Sequence, residues 1–176
     1  MKFLPPVLAV LLLLAGCATT PDVTTHYSAF SGKRTDLMSD NLLDAPGPPR
    51  ELVRLNASRV FDRNDQGTYY LEASYMARSE VGLLEIDPGE TLTLLIDGDK
   101  TKCFSSGSLN TRKTLKNGLV KEHAIYACTA AQLRQIASAK KVAVGLTGKR
   151  GLVLRDFQPD NFDRFQRFVK AYAAAP

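Results

Sequence analysis

The chain has 176 residues, of which 44% are hydrophobic and 23% charged, and its formal net charge is +5. This length and balance fit one compact domain with appendages, and they exclude a mostly disordered chain, a collagen-like fibre and a multi-span membrane protein. The two histidines of the whole chain provide little material for a His-rich metal site, so we predict neither a metal nor a cofactor.

The N-terminus predicts a chain that is exported and lipidated. A basic residue precedes an unbroken apolar run at residues 7–15, which is too short to cross ~30 Å of hydrocarbon as a permanent helix. The tetrad Leu14-Ala15-Gly16-Cys17 follows this run. It resembles the lipobox of bacterial lipoproteins, in which the chain is cut before the cysteine and the cysteine then carries a diacylglycerol and an acylated amine.

The resemblance implies a specific processing and location. Residues 1–16 would be a signal peptide, and Cys17 would hold the protein on the membrane through its lipid. In that family an aspartate after the cysteine often retains the protein at the inner membrane. Here the position is Ala18, so we expect the outer membrane, facing the periplasm, and no nucleic-acid partner. The alternative is an ordinary secretory signal with a chance cysteine near its cleavage site.

Residues 17–50 predict a lipidated N-terminus followed by a tether. The stretch at 18–25 is small and polar, and the sequence APGPP at 45–49 is typical of a stiff, non-helical hinge. Apolar residues between them, such as Tyr27 and Phe30, indicate that part of this segment could lie against the domain. We predict that the folded domain itself occupies residues 51–176.

From residue 51 onward, turn residues separate stretches of alternating apolar and polar character, which predicts short strands joined in hairpins. The sequence Asp97-Gly98 is a typical two-residue hairpin turn. A further strand is expected at 120–128. The predicted hairpins pair 52–61 with 68–76, 91–97 with 100–105, and 142–146 with 152–157.

Two helices follow from capping and periodicity. Thr129 and Gln132 match a capping box, and Pro159 suits the first position of a second helix whose aromatic residues share one core-facing side. We therefore predict an α+β fold, an antiparallel meandering sheet with two helices packed on one face. The short path through the helix at 129–139 also allows a parallel crossover.

Six basic residues with no acidic residue between them fall at positions 100–121. Such a patch could contact anionic lipid head groups, lipopolysaccharide phosphates or an acidic partner. We predict a wide basic loop at 109–118, with Arg112, Lys113 and Lys116 as its anion-binding side chains; the alternative is a loop that is only solvated. The six residues are Lys100, Lys102, Arg112, Lys113, Lys116 and Lys121.

Cys103 and Cys128 remain once Cys17 is assigned to the lipid. An even pair of cysteines in an oxidising compartment predicts a disulfide, and closing its loop of about 26 residues would stabilise the fold by roughly 3.5 kcal/mol. The alternative is two buried free thiols. A two-residue turn at Asn117-Gly118 would put the two cysteines out of register, so the basic loop has to take up the difference.

The sequence contains no recognisable catalytic constellation. His26 falls in the predicted tether and His123 within a strand, the serines at 105–108 lack a nucleophile elbow, and Asp97 lacks the later acidic ligands of a calcium loop. Our main hypothesis is a non-enzymatic binding or assembly module at the periplasmic face of the outer membrane, with an envelope protein as partner. The alternative is a binder of a small ligand, or of an anionic glycan or lipid, through residues 100–121. A hydrolase is the third hypothesis.

Overall fold

The computed structural model describes residues 22–43, 50–61 and 67–174. The predicted signal peptide, the lipobox-like tetrad with Cys17 and the hinge at 45–49 lie outside these residues. A 3-10 helix (Leu109–Thr111) accompanies two α-helices, α1 (Ala130–Ser138) and α2 (Pro159–Tyr172). The strands are β1 (Val23–Tyr27), β2 (Arg34–Met38), β3 (Glu51–Phe61), β4 (Gly67–Arg78), β5 (Gly89–Ile96), β6 (Asp99–Ser105), β7 (Lys113–Thr114), β8 (Leu119–Cys128), β9 (Val142–Gly148) and β10 (Gly151–Asp156).

These strands form one sheet in the order β1-β2-β3-β4-β8-β6-β5-β9-β10, with β7 beside β8. Every strand pair is antiparallel, which confirms the α+β class. The sheet is not a simple meander, however, because β8 lies between β4 and β6. The strands β8 and β9, which α1 connects, are separated by β6 and β5, so the described strands contain no parallel crossover.

The three predicted hairpins are confirmed. Gly67 pairs with Phe61 at the start of β4, and Gly148 pairs with Gly151 around a two-residue turn between β9 and β10. Between β5 and β6 the turn residues Asp97 and Gly98 both have positive φ, 50° and 102°. A two-residue hairpin needs this backbone conformation to match the twist of its strands, and Asp and Gly adopt it at low cost.

The helices begin where their sequences predict, and both bury apolar side chains. The Thr129 hydroxyl accepts the N–H of Gln132, and the Gln132 side chain accepts the N–H of Thr129 at 2.8 Å. In α2, Phe165 and Phe168 are fully buried in the same core as Leu133 of α1. Each such side chain contributes roughly 1.5–3 kcal/mol through burial. In the described ranges, no helix is long and apolar enough to cross a membrane.

The segment predicted as tether contributes to the fold, which corrects the predicted domain start at residue 51. β1 and β2 extend the sheet beyond β3, and Met38 is fully buried. Asp36 is buried too; its carboxylate accepts hydrogen bonds from Thr25, Arg34 and Arg59. Burying an apolar side chain and satisfying a buried carboxylate both favour docking of this segment, so the domain begins near Val23.

Candidate ligand-binding groove

One half of the sheet keeps an open face. Along β3, β4 and β8, residues of one parity enter the core, and those of the other parity point away from it. The strand register places these outward residues in cross-strand rows. Met76 lies opposite Lys121, Ser74 lies between Arg54 and His123, and Glu72 lies opposite Asn56.

These rows form the floor of a groove of about 930 Å³. Residues 37–40, at the end of β2, form one wall, and residues 110–115, with β7, form the other. The lining is amphipathic, since leucine and methionine side chains lie among charged and amide groups. The lining residues are Leu37, Met38, Ser39, Asp40, Arg54, Asn56, Glu72, Ser74, Met76, Asn110, Thr111, Lys113, Leu115, Lys121 and His123.

Two basic groups of the groove have carboxylate partners within it. Arg54 Nε donates to Asp40 Oδ1 at 3.0 Å, and His123 Nε2 lies 3.2 Å from Glu72 Oε2. Burial raises the pKa of Glu72, but hydrogen bonds from His123 and Ser58 and the charge of His123 outweigh it, so the pKa falls below its ordinary 4.5. Arg54 and His123 are therefore both engaged with carboxylates inside the groove.

Two lysines of the groove lack such a partner. Lys113 of β7 and Lys121 of β8 are directly opposite in the register, and both are exposed. Within the described part of the chain, neither forms an ion pair with a carboxylate. Like charges opposite each other in an antiparallel pair destabilise it. One end of the groove therefore carries two uncompensated positive charges that are close together.

The predicted anion-binding residues are separated by the fold. Lys113 lines the groove, whereas Lys116 lies in the turn between β7 and β8 and does not. Arg112 is half-buried; it donates to the Ser108 hydroxyl at 3.2 Å and lies 3.8 Å from Glu122. The predicted wide loop is also wrong, because residues 109–118 contain the 3-10 helix, β7 and a tight turn.

A buried carboxylate supports this wall from the core side. Glu122 is fully buried, and its oxygens accept the backbone N–H groups of Leu84, Glu85 and Ile86 and the hydroxyl of Ser108. These bonds fix both the irregular segment before β5 and the start of the 3-10 helix. Arg112 adds a positive charge at the same point. Glu122 and Arg112 thus serve the structure rather than a ligand.

Cys103 and Cys128 are both present as free thiols, so the disulfide stays a prediction. Ser105 pairs with Tyr126, and continuing that register by two residues places Cys103 opposite Cys128. Burial raises the pKa of the Cys103 thiol, and burial with the nearby Cys103 raises the pKa of Cys128 to about 12. A thiol with a raised pKa is a poor nucleophile at neutral pH, which argues against cysteine catalysis.

The other residues considered as functional candidates lie outside the groove or stabilise the fold. His26 is exposed on β1, away from the groove lining. The Asp97 carboxylate accepts the backbone N–H groups of Lys140 and Lys141, so it joins the β5–β6 turn to the end of α1. Sequence reasoning missed Glu72 and His123 as neighbours. Their alternating positions on β4 and β8 were visible, but the pairing of these two strands was not.

Two comparisons with known proteins identify no relative. A scan against models of protein families finds no match, and a search of curated proteins finds none of significant sequence similarity. The functional argument therefore depends on the groove and on the N-terminal sequence.

Proposed function

We propose that this protein is a lipid-anchored binding module of the bacterial envelope, held by Cys17 at the periplasmic face of the outer membrane. The groove across β3, β4 and β8 is its ligand site. The observation that carries the proposal is a groove of about 930 Å³, with an amphipathic lining and two uncompensated lysines at one end. Ligand sites commonly have volumes of this order and combine apolar walls with a few polar groups.

The arrangement of the helices supports this choice of face. Both helices contribute buried side chains to the one core, and they contact each other. We take α1 and α2 to lie together on the core side of the sheet, which leaves the groove side free for a ligand. A ligand could then bind without displacing any apolar packing.

The groove geometry favours binding over hydrolysis, although Ser74, His123 and Glu72 come together on its floor. A hydrolytic triad needs a hydrogen bond from the serine hydroxyl to the imidazole, and a carboxylate on the other ring nitrogen. Here His123 uses Nε2 for Glu72, and Ser74 is not hydrogen-bonded to His123. The backbone N–H of His123 donates to the Thr111 hydroxyl at 3.1 Å, so it is not free to stabilise an oxyanion.

Blocking the groove tests the proposed binding site. The purified full-length protein in detergent would be titrated with lipopolysaccharide, peptidoglycan fragments and phosphatidylglycerol, with binding followed by microscale thermophoresis. We expect at least one of these to bind, and Ser74→Trp to weaken its binding at least tenfold, because an indole would fill the middle of the floor. Thr147→Trp, on the exposed side of β9, is the control for a tryptophan outside the groove and should bind as wild type. Ser74 is only 7% exposed, so thermal unfolding of both variants is measured to show that each is folded.

Three results would contradict the proposal. Equal binding by both tryptophan variants and wild type would move the site away from the groove. Lack of binding to every member of the panel would argue against a receptor for envelope glycans or lipids, and measured turnover of an ester substrate that Ser74→Ala abolishes would favour the hydrolase.

A further inference from the structure

The distribution of charge within the groove identifies the part of a ligand that it can hold. The groove is lined by two carboxylates, those of Asp40 and Glu72, and by four basic side chains, those of Arg54, Lys113, Lys121 and His123. Each carboxylate already has a basic partner within ion-pair distance. Within the described residues, the two surplus positive charges therefore both fall at the β7–β8 end.

The register brings these surplus charges to one spot. Lys113 and Lys121 face each other across β7 and β8, and Met76 lies opposite Lys121 on the other side. Lysine carries a compact charge on a flexible four-carbon stem, so both ammonium groups can converge on one anion above Met76. Asn110, on the same wall, is exposed and makes no side-chain hydrogen bond within the described residues, so its amide can donate to the same anion.

We propose that Lys113 and Lys121 bind a phosphate group, with the remainder of the ligand lying along the amphipathic floor. A phosphate carries up to two negative charges and several acceptor oxygens, so it can neutralise both lysines and relieve their mutual repulsion. A single carboxylate would compensate only one of them. This inference rests on the proposed function, since it names the ligand chemistry of the same groove.

The apolar part of the lining indicates what accompanies the phosphate. Leu37, Met38, Met76 and Leu115 line the groove beside the polar groups. A phosphate on a sugar or a glycerol backbone meets this surface better than a bare ion does, because its carbon atoms can cover the leucine and methionine side chains. A free phosphate and a lipid or glycan head group share the anion, so the experiment needs to separate these sources.

The test uses the full-length protein in detergent with two probes. The backbone amides of β7 and β8 are followed by NMR while inorganic phosphate or, in a separate titration, glycerol 3-phosphate is added, with glycerol as the uncharged comparison. The variants are Lys113→Gln, Lys121→Gln and the double substitution. Lys116→Gln, an exposed lysine in the adjacent turn, is the matched control for loss of one charge. Lys121→Arg keeps the charge.

We expect saturable binding of at least one phosphate probe by wild type. Each single glutamine variant should weaken it about tenfold, and the double variant more, since a charge-assisted hydrogen bond contributes on that scale. Lys116→Gln and Lys121→Arg should bind within about twofold of wild type. Binding of free phosphate would make the ion itself sufficient. Binding of glycerol 3-phosphate alone would assign the phosphate to an ester such as that of a lipid head group, and both results support the inference.

Other outcomes would overturn it. Lack of binding to either probe, equal binding by the double variant, or an equal loss with Lys116→Gln would each exclude a phosphate site at this lysine pair. The proposed function fails separately. If Ser74→Trp abolishes binding of an envelope ligand while the double lysine variant does not, the groove is a ligand site but the phosphate assignment is wrong.

Discussion

Glu72 and Glu122 lie on neighbouring strands but on opposite faces of the sheet, and their surroundings give them different tasks. Glu122 is fully buried, and its oxygens accept three backbone N–H groups, so it fixes a chain segment. The negative charge of Glu122 also acts on a neighbouring side chain. Burial, together with the charges of Glu51 and Glu122, raises the pKa of Tyr75 to about 12. Glu72 faces the groove and is hydrogen-bonded to His123, so its ionisation can change without breaking a backbone hydrogen bond.

Substitution of Glu72 should have a pH-dependent effect on stability. The pKa of Glu72 lies below 4.5 in the folded protein, so the ionised form favours folding above that pH, and this contribution is lost as the pH falls through the folded pKa. Glu72→Gln should therefore lower the free energy of unfolding by about 1 kcal/mol at neutral pH, and by progressively less over the acid range as the pH falls through the folded pKa. Denaturant unfolding of both proteins over this pH range measures the difference.

An exposed ion pair provides the control for this prediction. Glu90 and Lys102 are both exposed and paired at 2.8 Å, so Glu90→Gln should change stability little at any pH. A difference between wild type and Glu72→Gln that stays constant with pH would assign its cost to packing in the groove instead of to the ionised carboxylate.

At the scale of the elements, β8 organises the molecule. It pairs with β4, β6 and β7, so it provides part of the groove floor and also carries Cys128 beside β6. The hairpins could be predicted because each depends on a turn such as Asp97-Gly98, whose conformation is set by adjacent residues. The placement of β8 between β4 and β6 could not, because its partners are far away in the sequence and its own alternation fits several neighbours.

The same distinction explains which features could not be predicted from the sequence. β1 reads VTTHY, and most of its side chains are exposed, so no apolar pattern marks it as a strand. Its ladder with β2 positions it instead. Lys113 was predicted as an anion-binding residue from the local run of basic residues. Glu72, Met76 and His123 were not connected with it because the groove is assembled from separate strands.

The register between β6 and β8 makes the disulfide testable. Because the register of Ser105 with Tyr126, continued by two residues, puts Cys103 opposite Cys128, we expect oxidation to require little backbone movement. Protein isolated from the periplasm should give no free thiol from these cysteines when labelled after denaturation without reductant. Cys103→Ser should then expose one thiol, on Cys128. Reduction or the double serine variant should lower the free energy of unfolding by roughly 2–4 kcal/mol. Two labelled thiols in the wild-type periplasmic preparation would refute the bond.

On the scale of the whole molecule, the N-terminal sequence predicts the mass of the processed and acylated protein. Cys17→Ser should remove the acylation site, so the protein should accumulate unprocessed and leave the membrane fraction. Intact mass spectrometry of the wild-type protein should give a chain that starts at Cys17 and carries three acyl chains. Cys128→Ser is the control, because it removes a cysteine without touching the lipobox-like tetrad. A wild-type chain that starts at another residue, or that has no acyl mass, would falsify the assignment.

The early start of the fold at β1 has a consequence for where an anchored molecule can work. Val23 follows Cys17 by six residues, which even fully stretched reach only about 22 Å, whereas a tether running to residue 50 would reach about 110 Å. Because the linker between the lipid and β1 is short, acylation at Cys17 would confine the domain to a thin layer above the bilayer. The chain passes from β1 into β2, whose end is one wall of the groove. The domain would therefore meet lipid head groups at high local concentration. It would bind ligands at the membrane surface more readily than ligands elsewhere in the periplasm.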